Sequence, residues 1–257
     1  MITLSGTQTI KILVSGCNGV MGKHVVDVVN AHEDLEVVGG IDVNAKSDYT
    51  FPVFSSFEAC DVEADVMIDF SHFSVIESLI DYAVSTQTPT VICTTGLDNN
   101  LVTKIEEAST KVALFRSGNM SLGINLMIDL VKKAVNVLGQ NYDIEIVEKH
   151  HNRKVDSPSG TAKMIADGIN EEFNHEMNFQ HGRHGNETKR GQKEIGIHAL
   201  RGGTIVGEHS VLFAGIDEII EINHIALSRK VFANGAVQAA IFLSERKNGL
   251  YDMNQIL

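Results

Sequence analysis

One stretch near the start narrows the fold more than any other. It is Val14-Ser15-Gly16-Cys17-Asn18-Gly19-Val20-Met21-Gly22, in which glycine recurs at 16, 19 and 22. An apolar, β-branched run precedes it (Ile10 to Ser15, IKILVS), and a helical apolar period follows it (Lys23 to Ala31). A strand, a glycine turn and a helix in that order can hold a pyrophosphate. One glycine permits the tight turn, one lets the backbone approach the phosphates, and one lets helix and strand pack closely. The helix start adds N–H donors and the positive end of its dipole. Asp42 ends the second apolar run, 20 residues after Gly22, where a carboxylate accepts from the ribose hydroxyls of an adenosine. Val43 follows it, and no adjacent residue neutralises a 2′-phosphate, so Asp42-Val43 leans modestly toward NADH, while Lys23 and Lys46 leave NADPH open.

The rest of the first half keeps the same alternation. Strand patterns at Leu35 to Ile41, Ala64 to Phe70, Thr90 to Thr94 and Lys111 to Phe115 interleave with helical ones near Val75 to Ser85 and Asn99 to Thr110. This predicts an α/β fold with a parallel sheet covered on both faces. The pattern then changes. A long amphipathic helix from Leu122 to Leu138 precedes a strand from Asp143 to Val147 and a capped helix from Ser159 to Phe173. The polar stretch Phe179 to Lys193 reads as a flexible loop. Three strand patterns come next, Glu194 to Leu200, Thr204 to Phe213 and Glu218 to Leu227, joined by short turns at Gly202-Gly203 and Gly215-Ile216-Asp217. Strands in sequence with tight turns predict an antiparallel or mixed sheet. A helix from Val231 to Leu243 closes the pattern.

The formal net charge is -12, which argues against nucleic acid as a partner. A chain this acidic must gather cations locally to handle an anion. It does so in Glu148-Lys149-His150-His151-Asn152-Arg153-Lys154-Val155-Asp156-Ser157-Pro158-Ser159-Gly160-Thr161-Ala162, between a strand and a helix. Ser159, Gly160 and Thr161 put backbone N–H groups and hydroxyls at a helix start, an anion-binding arrangement. The histidines and lysines supply protons near neutral pH. Together they describe a site for a carboxylate-bearing substrate that is protonated during reaction. Surface histidines beside a plain N-cap would give the same letters. A metal site is disfavoured, because His150 and His151 are adjacent and no cysteine or third histidine stands at ligand spacing. Three further loops, Phe70-Ser71-His72, Thr94-Thr95-Gly96 and Gly118 to Asn125, follow strand patterns in the manner of ligand loops. The three cysteines, Cys17, Cys60 and Cys93, form no disulfide framework and imply a reducing, cytoplasmic setting. The sequence shows no signal peptide and no membrane span.

Taken together, SGCNGVMGK, MIDFS, VICTTG, NMSLGIN, EKHHNRKVDSPSGTA, EIGIHALRGGTIVGEH and FANGAVQAA resemble the dihydrodipicolinate (4-hydroxy-tetrahydrodipicolinate) reductase family over nearly the whole chain. The resemblance implies a Rossmann-type domain, 1–121 with 230–257, interrupted by an α+β substrate and oligomerisation domain of mixed open sheet, 122–229. It also implies NADH- or NADPH-dependent reduction of a cyclic dicarboxylate on the route to diaminopimelate and lysine, by a homotetramer. By the family pattern His150 and Lys154 are catalytic. His151, Ser159, Gly160, Thr161 and Arg229 would bind substrate. Gly16, Cys17, Asn18, Gly19, Val20, Met21, Asp42, Thr94, Thr95, Ser117, Gly118, Asn119 and Met120 would contact the cofactor. Departures from the family pattern are Val20 and Val43, where many relatives carry Arg or Lys, His72 in place of a frequent Arg, and Cys93 in place of a frequent Gly. An aspartate-semialdehyde type of dehydrogenase would need a well-placed nucleophilic cysteine. A nucleotide sensor without turnover would have no use for the proton donors.

Overall fold

The computed structural model describes residues 9–46, 48–186 and 188–257. These divide into two compact units: one runs to Ser121 and resumes at Arg229–Leu257, and the other is Leu122–Ser228. Arg229, expected to end the second unit, goes with the first.

The first unit is built on strands β1 (Ile10–Ser15), β2 (Leu35–Ile41), β3 (Val53–Phe54), β4 (Val66–Asp69), β5 (Thr90–Ile92) and β6 (Ala113–Arg116), with helices α1 (Val20–Asn30), α2 (Ile76–Thr86) and α3 (Asn99–Ser109) between them. Helix α6 (Lys230–Ser244) and strand β12 (Gly249–Tyr251) come from the end of the chain. The sheet order is β12-β6-β5-β4-β1-β2-β3, and every pairing is parallel. Alternation within the strands decides which side chain meets which layer. Leu13, Met67, Ile92 and Leu114 pack with Ile76, Leu79 and Ile80 of α2 and Ile105 of α3. Phe115 points the other way and meets Phe242 of α6 edge-on. Each fully buried side chain of this size stabilises the fold by roughly 1.5–3 kcal/mol. Because all the strands run one way, the loops after β1, β2, β4, β5 and β6 share one edge. Two short strands, β3 of two residues and β12 of three, were not expected.

The second unit contains α4 (Leu122–Leu138), β7 (Asp143–His150), α5 (Gly160–Glu172), β8 (Asn178–His181), β9 (Glu194–Arg201), β10 (Gly207–Ala214) and β11 (Ile219–Ala226). Its sheet order is β11-β10-β7-β9-β8, with β10 antiparallel to both neighbours and β7, β9 and β8 parallel. The expected mixed sheet is therefore present. The turn at Gly202-Gly203 does not make a hairpin, however, because β7 lies between β9 and β10. Ile144, Ile146, Ile195, Ile197, Val211 and Phe213 form one core with Val131 of α4 and Ile165 of α5.

Two expectations need correction. Strand β7 does not stop at Val147 but continues through Glu148 to His150, and its even-numbered positions all stay buried. The polar stretch 179–193 is not simply a flexible loop. Residues 178–181 pair with β9, and Glu145 anchors the chain beyond them. It accepts from Arg183 Nη1 (3.0 Å), Arg190 Nε (3.1 Å) and His198 Nε2 (2.7 Å). A side chain at 196 would block this, since a Cβ there would stand 1.8 Å from Glu145 Oε2. Burial pushes the Glu145 carboxyl up, but hydrogen bonds from Arg183, His198 and Arg190 more than offset that and leave it below the usual range.

Candidate functional site

In the first unit, the glycine loop has the geometry that its spacing predicts. Gly16 has φ +76°, and a Cβ there would meet the Phe70 carbonyl at 2.7 Å. A Cβ at Gly22 would lie 2.1 Å from the Gly16 carbonyl oxygen, so only glycine lets α1 start this close to β1. Gly19 caps α1 with its backbone alone. Beside the loop is a cavity of about 620 Å³ lined by Gly16, Gly19, Asp42, Val43, Glu58 and His72 among others. Among the described residues its wall contains two carboxylates and no lysine or arginine.

The Asp42 carboxylate accepts from the Asn18 N–H (3.0 Å) and the Asn44 N–H (3.0 Å), which fixes it against the glycine loop. The Asn18 side chain turns the other way and donates to the carbonyls of Asn44 and Lys46. Cys17 is fully buried, and its thiol is pushed up to about 11, first by burial and then by the Asp42 charge. Cys93 is also buried and its thiol is held well above the ordinary value by burial. Neither is a ready nucleophile. Val20 is exposed, Met21 half-buried and Thr95 exposed. Thr94 is buried, and its hydroxyl donates to Asp69 Oδ2 (2.7 Å), the carboxylate of the MIDFS stretch. Asp69 also accepts from the Ser71 N–H, and burial pushes its carboxyl up. Ser117 Oγ donates to the Asn119 carbonyl, while Gly118 is exposed and Asn119 and Met120 are buried. Arg229 stands exposed at the N-terminus of α6.

In the second unit, the segment after β7 folds back to start α5. Ser159 is the N-cap, and its hydroxyl accepts from the Ala162 N–H at 3.1 Å. A Cβ placed at Gly160 would meet open space, and the Gly160 N–H is hydrogen-bonded to the Asp156 carboxylate, so the start of α5 already faces one anionic group. Lys154 pairs with Asp156 at 2.9 Å. Burial pushes the Asp156 carboxyl up, but Lys154, helped by backbone N–H groups, brings it below the usual range. His151 is half-buried and Thr161 half-buried.

The centre of this site is Glu148, fully buried on the same strand face as His150. It accepts from His150 Nδ1 (2.7 Å), from Arg201 Nη1 (2.7 Å) and Nη2 (2.8 Å), and from the Ser159 N–H (2.9 Å). Burial pushes its carboxyl up, yet Arg201, His150 and Ser159 hold it below the usual carboxylate range. His209 of β10 lies edge-on to His150 with ring centres 5.2 Å apart and shares a hydrogen bond with Ser159 Oγ (3.1 Å). Burial, then the neighbouring His150, push its imidazole down to about 3, so it stays neutral. Arg201 and His209 were missed in the sequence. Period 2 was the available signal: residues 148 and 150 share a face, and 201 and 209 lie on the same side of the neighbouring strands.

Residues 10–120 match the family model for the N-terminus of dihydrodipicolinate reductase, and 123–257 match that for its C-terminus. The chain is 47% identical over 247 residues to the 4-hydroxy-tetrahydrodipicolinate reductase of Clostridium novyi (strain NT), covering 96% of this chain and 98% of that one. It is 50% identical over 248 residues to the reductase of the same name from Caldanaerobacter subterraneus subsp. tengcongensis, covering 96% and 98%. A dipicolinate-bound dihydrodipicolinate reductase from Paenisporosarcina sp. TG-14 shares the fold, with a TM-score of 0.80 and 24% identity over 97% of this chain and 100% of that one.

Proposed function

The chain belongs to the dihydrodipicolinate reductase family, and from that premise we propose a division of labour in its reaction. It reduces 4-hydroxy-tetrahydrodipicolinate to tetrahydrodipicolinate, with loss of water, on the route to diaminopimelate and lysine. The first unit serves the cofactor. The backbone from Gly16 to Met21 holds the pyrophosphate, and Asp42 takes the adenosine ribose. Thr94, Thr95 and the stretch from Ser117 to Met120 hold the rest. The close approach that only glycine allows at 16 and 22 fits a dinucleotide. When bound, the nicotinamide supplies the hydride. Asp42 and Glu58, in a cavity wall whose described residues include no lysine or arginine, support NADH over NADPH, because a 2′-phosphate would meet like charge there.

The second unit serves the substrate, a dianion. His151, Gly160 and Thr161 hold its carboxylates, and Arg229, which belongs to the first unit, adds a cation. Ser159 acts from behind, since its hydroxyl is committed to the helix cap and to His209. Lys154 and His150 handle the proton that accompanies hydride addition. Orientation of the ring contributes most of the acceleration. One observation carries this reading: in a single folded-back segment, a buried histidine with one nitrogen committed and a lysine adjoin a capped helix start whose first N–H already meets a carboxylate.

We further propose a cytoplasmic homotetramer. The three free cysteines suit a reducing compartment. The sheet face opposite α4 and α5 exposes Leu200, Ile219 and Ile225, which suits burial between copies.

The test is substrate-dependent oxidation of NADH and NADPH in parallel, with the unstable substrate made in situ by its synthase. Oxidation with a lower KM for NADH is expected. The absence of oxidation with either cofactor would sink the proposal.

A further inference from the structure

Glu148 is fully buried and surrounded by partners it did not need for packing. A buried ion pair is rarely the most stable solution; apolar side chains of similar volume do as well or better. The arrangement around Glu148 therefore asks for another reason. All four hydrogen bonds it receives come from groups that bear on the substrate site: two from Arg201, one from His150 and one from the backbone of Ser159.

The chemistry of a carboxylate has two consequences at this position. An ionised carboxylate accepts and cannot donate. Its bond to His150 Nδ1 therefore requires the proton to be on Nδ1, which leaves Nε2 as the nitrogen that exchanges protons. The space beside Nε2 is kept by Gly207, where a Cβ would come within 3.1 Å of that atom. The second consequence is positional. Oε1 accepts from the Ser159 N–H, so the residue that caps α5 is tied to the same side chain that orients His150.

We propose that Glu148 is a positioning residue for the reduction, setting the tautomer of His150 and its register against the carboxylate-holding start of α5. Arg201 is the counter-charge that keeps it in place. This rests on the proposed roles of His150 in proton handling and of Gly160-Thr161 in carboxylate binding. One buried carboxylate thus sets both the proton-handling nitrogen and the anion-binding N–H groups.

Glu148→Gln is the discriminating change. A glutamine has one accepting oxygen and one donating nitrogen, so it cannot accept from His150, Arg201 and Ser159 together. Satisfying His150 with the amide N–H moves the imidazole proton from Nδ1 to Nε2. The expected result is a fall in kcat of about 100-fold, within the range that a positioned acid or base contributes. NADH affinity should stay within about twofold, because Glu148 lies in the other unit. Long-range proton–nitrogen correlation spectra of 15N-histidine-labelled protein should show His150 with Nδ1–H in the wild type and Nε2–H in E148Q. A bare Nδ1 in the wild type at neutral pH would overturn the inference, as would E148Q with kcat within twofold of wild type. The wild-type spectrum needs no variant and so stays decisive if E148Q does not fold. Normal turnover with a bare Nδ1 would overturn this inference alone. No turnover in the wild type would overturn it together with the functional reading.

Discussion

At the scale of single residues, Lys154 separates chemistry from cofactor binding. Its ammonium pairs with Asp156 at the substrate segment and lies outside the first unit. Lys154→Ala should lower kcat by about 100-fold or more while the NADH dissociation constant stays within about twofold. Steady-state kinetics with a fluorescence titration of NADH would check this, and equal losses in both would refute the assignment. Gly22 makes the complementary case. A Cβ 2.1 Å from a backbone oxygen cannot be relieved by a rotamer change. Gly22→Ala should therefore weaken NADH binding at least tenfold and lower stability by about 1–3 kcal/mol, read by the same titration and by urea unfolding. Residues of this kind were legible in the sequence because each carries a local rule: the glycine spacing, the acid after β2, the cationic segment. Glu148, Arg201 and His209 were not. Their meaning depends on three strands being neighbours, and no local pattern states that β7 lies between β9 and β10.

At the scale of elements, helix starts allow a controlled comparison. Ser159 caps α5 and Asp98 caps α3, each by accepting a backbone N–H from the first turn. Asp98→Ala should cost about 1 kcal/mol, the usual value for an exposed cap, and leave turnover intact. Ser159→Ala should cost about 2 kcal/mol, because it also deprives the buried His209 of its hydroxyl partner. It should also raise the substrate KM. Urea midpoints and KM values measured together would separate the two helices. The elements themselves were largely readable from periodicity. The exceptions share a cause. Strand β7 was cut short because Glu148 and His150 look like a polar strand end, yet they bury by satisfying each other. The stretch after β8 looked free because its order comes from Glu145, some 40 residues earlier in the chain.

At the scale of the whole molecule, acid should lower stability over two successive pH ranges. The first comes from His209, whose folded value is about 3 against an unfolded value near 6.5. Between those limits the unfolded chain binds more protons, so stability falls as pH drops below about 6.5, by up to about 1.4 kcal/mol per pH unit. His224 is lowered by burial and adds in the same sense. The carboxylates Glu145 and Glu148 contribute later: held below their ordinary range, they stabilise above about pH 4.3 and lose that contribution as pH falls through their folded values. Urea midpoints at about pH 7, 6 and 5 should therefore decline in the wild type and decline less in His209→Gln. An equal decline in both would place the proton uptake elsewhere.

The assembly can be tested from the same sheet that carries the site. Alternation assigns Ile144, Ile146, Val211 and Phe213 to the helix-covered face, and therefore Leu200, Leu212, Ile219 and Ile225 to the other. Lys149 and Glu208 pair on that second face, as do Ser210 and Asn223. Burial of the outward Leu200, Ile219 and Ile225 between copies would remove apolar area from water. If copies of the chain meet there, a charge at one of those isoleucines would be repeated in every copy and could not be avoided by symmetry. Ile225→Glu, on the edge strand β11, should shift the mass measured by light scattering from a tetramer to a smaller species, with circular dichroism unchanged. An unchanged mass in Ile225→Glu and in Ile219→Glu would remove this face from the assembly and leave the tetramer without its proposed basis.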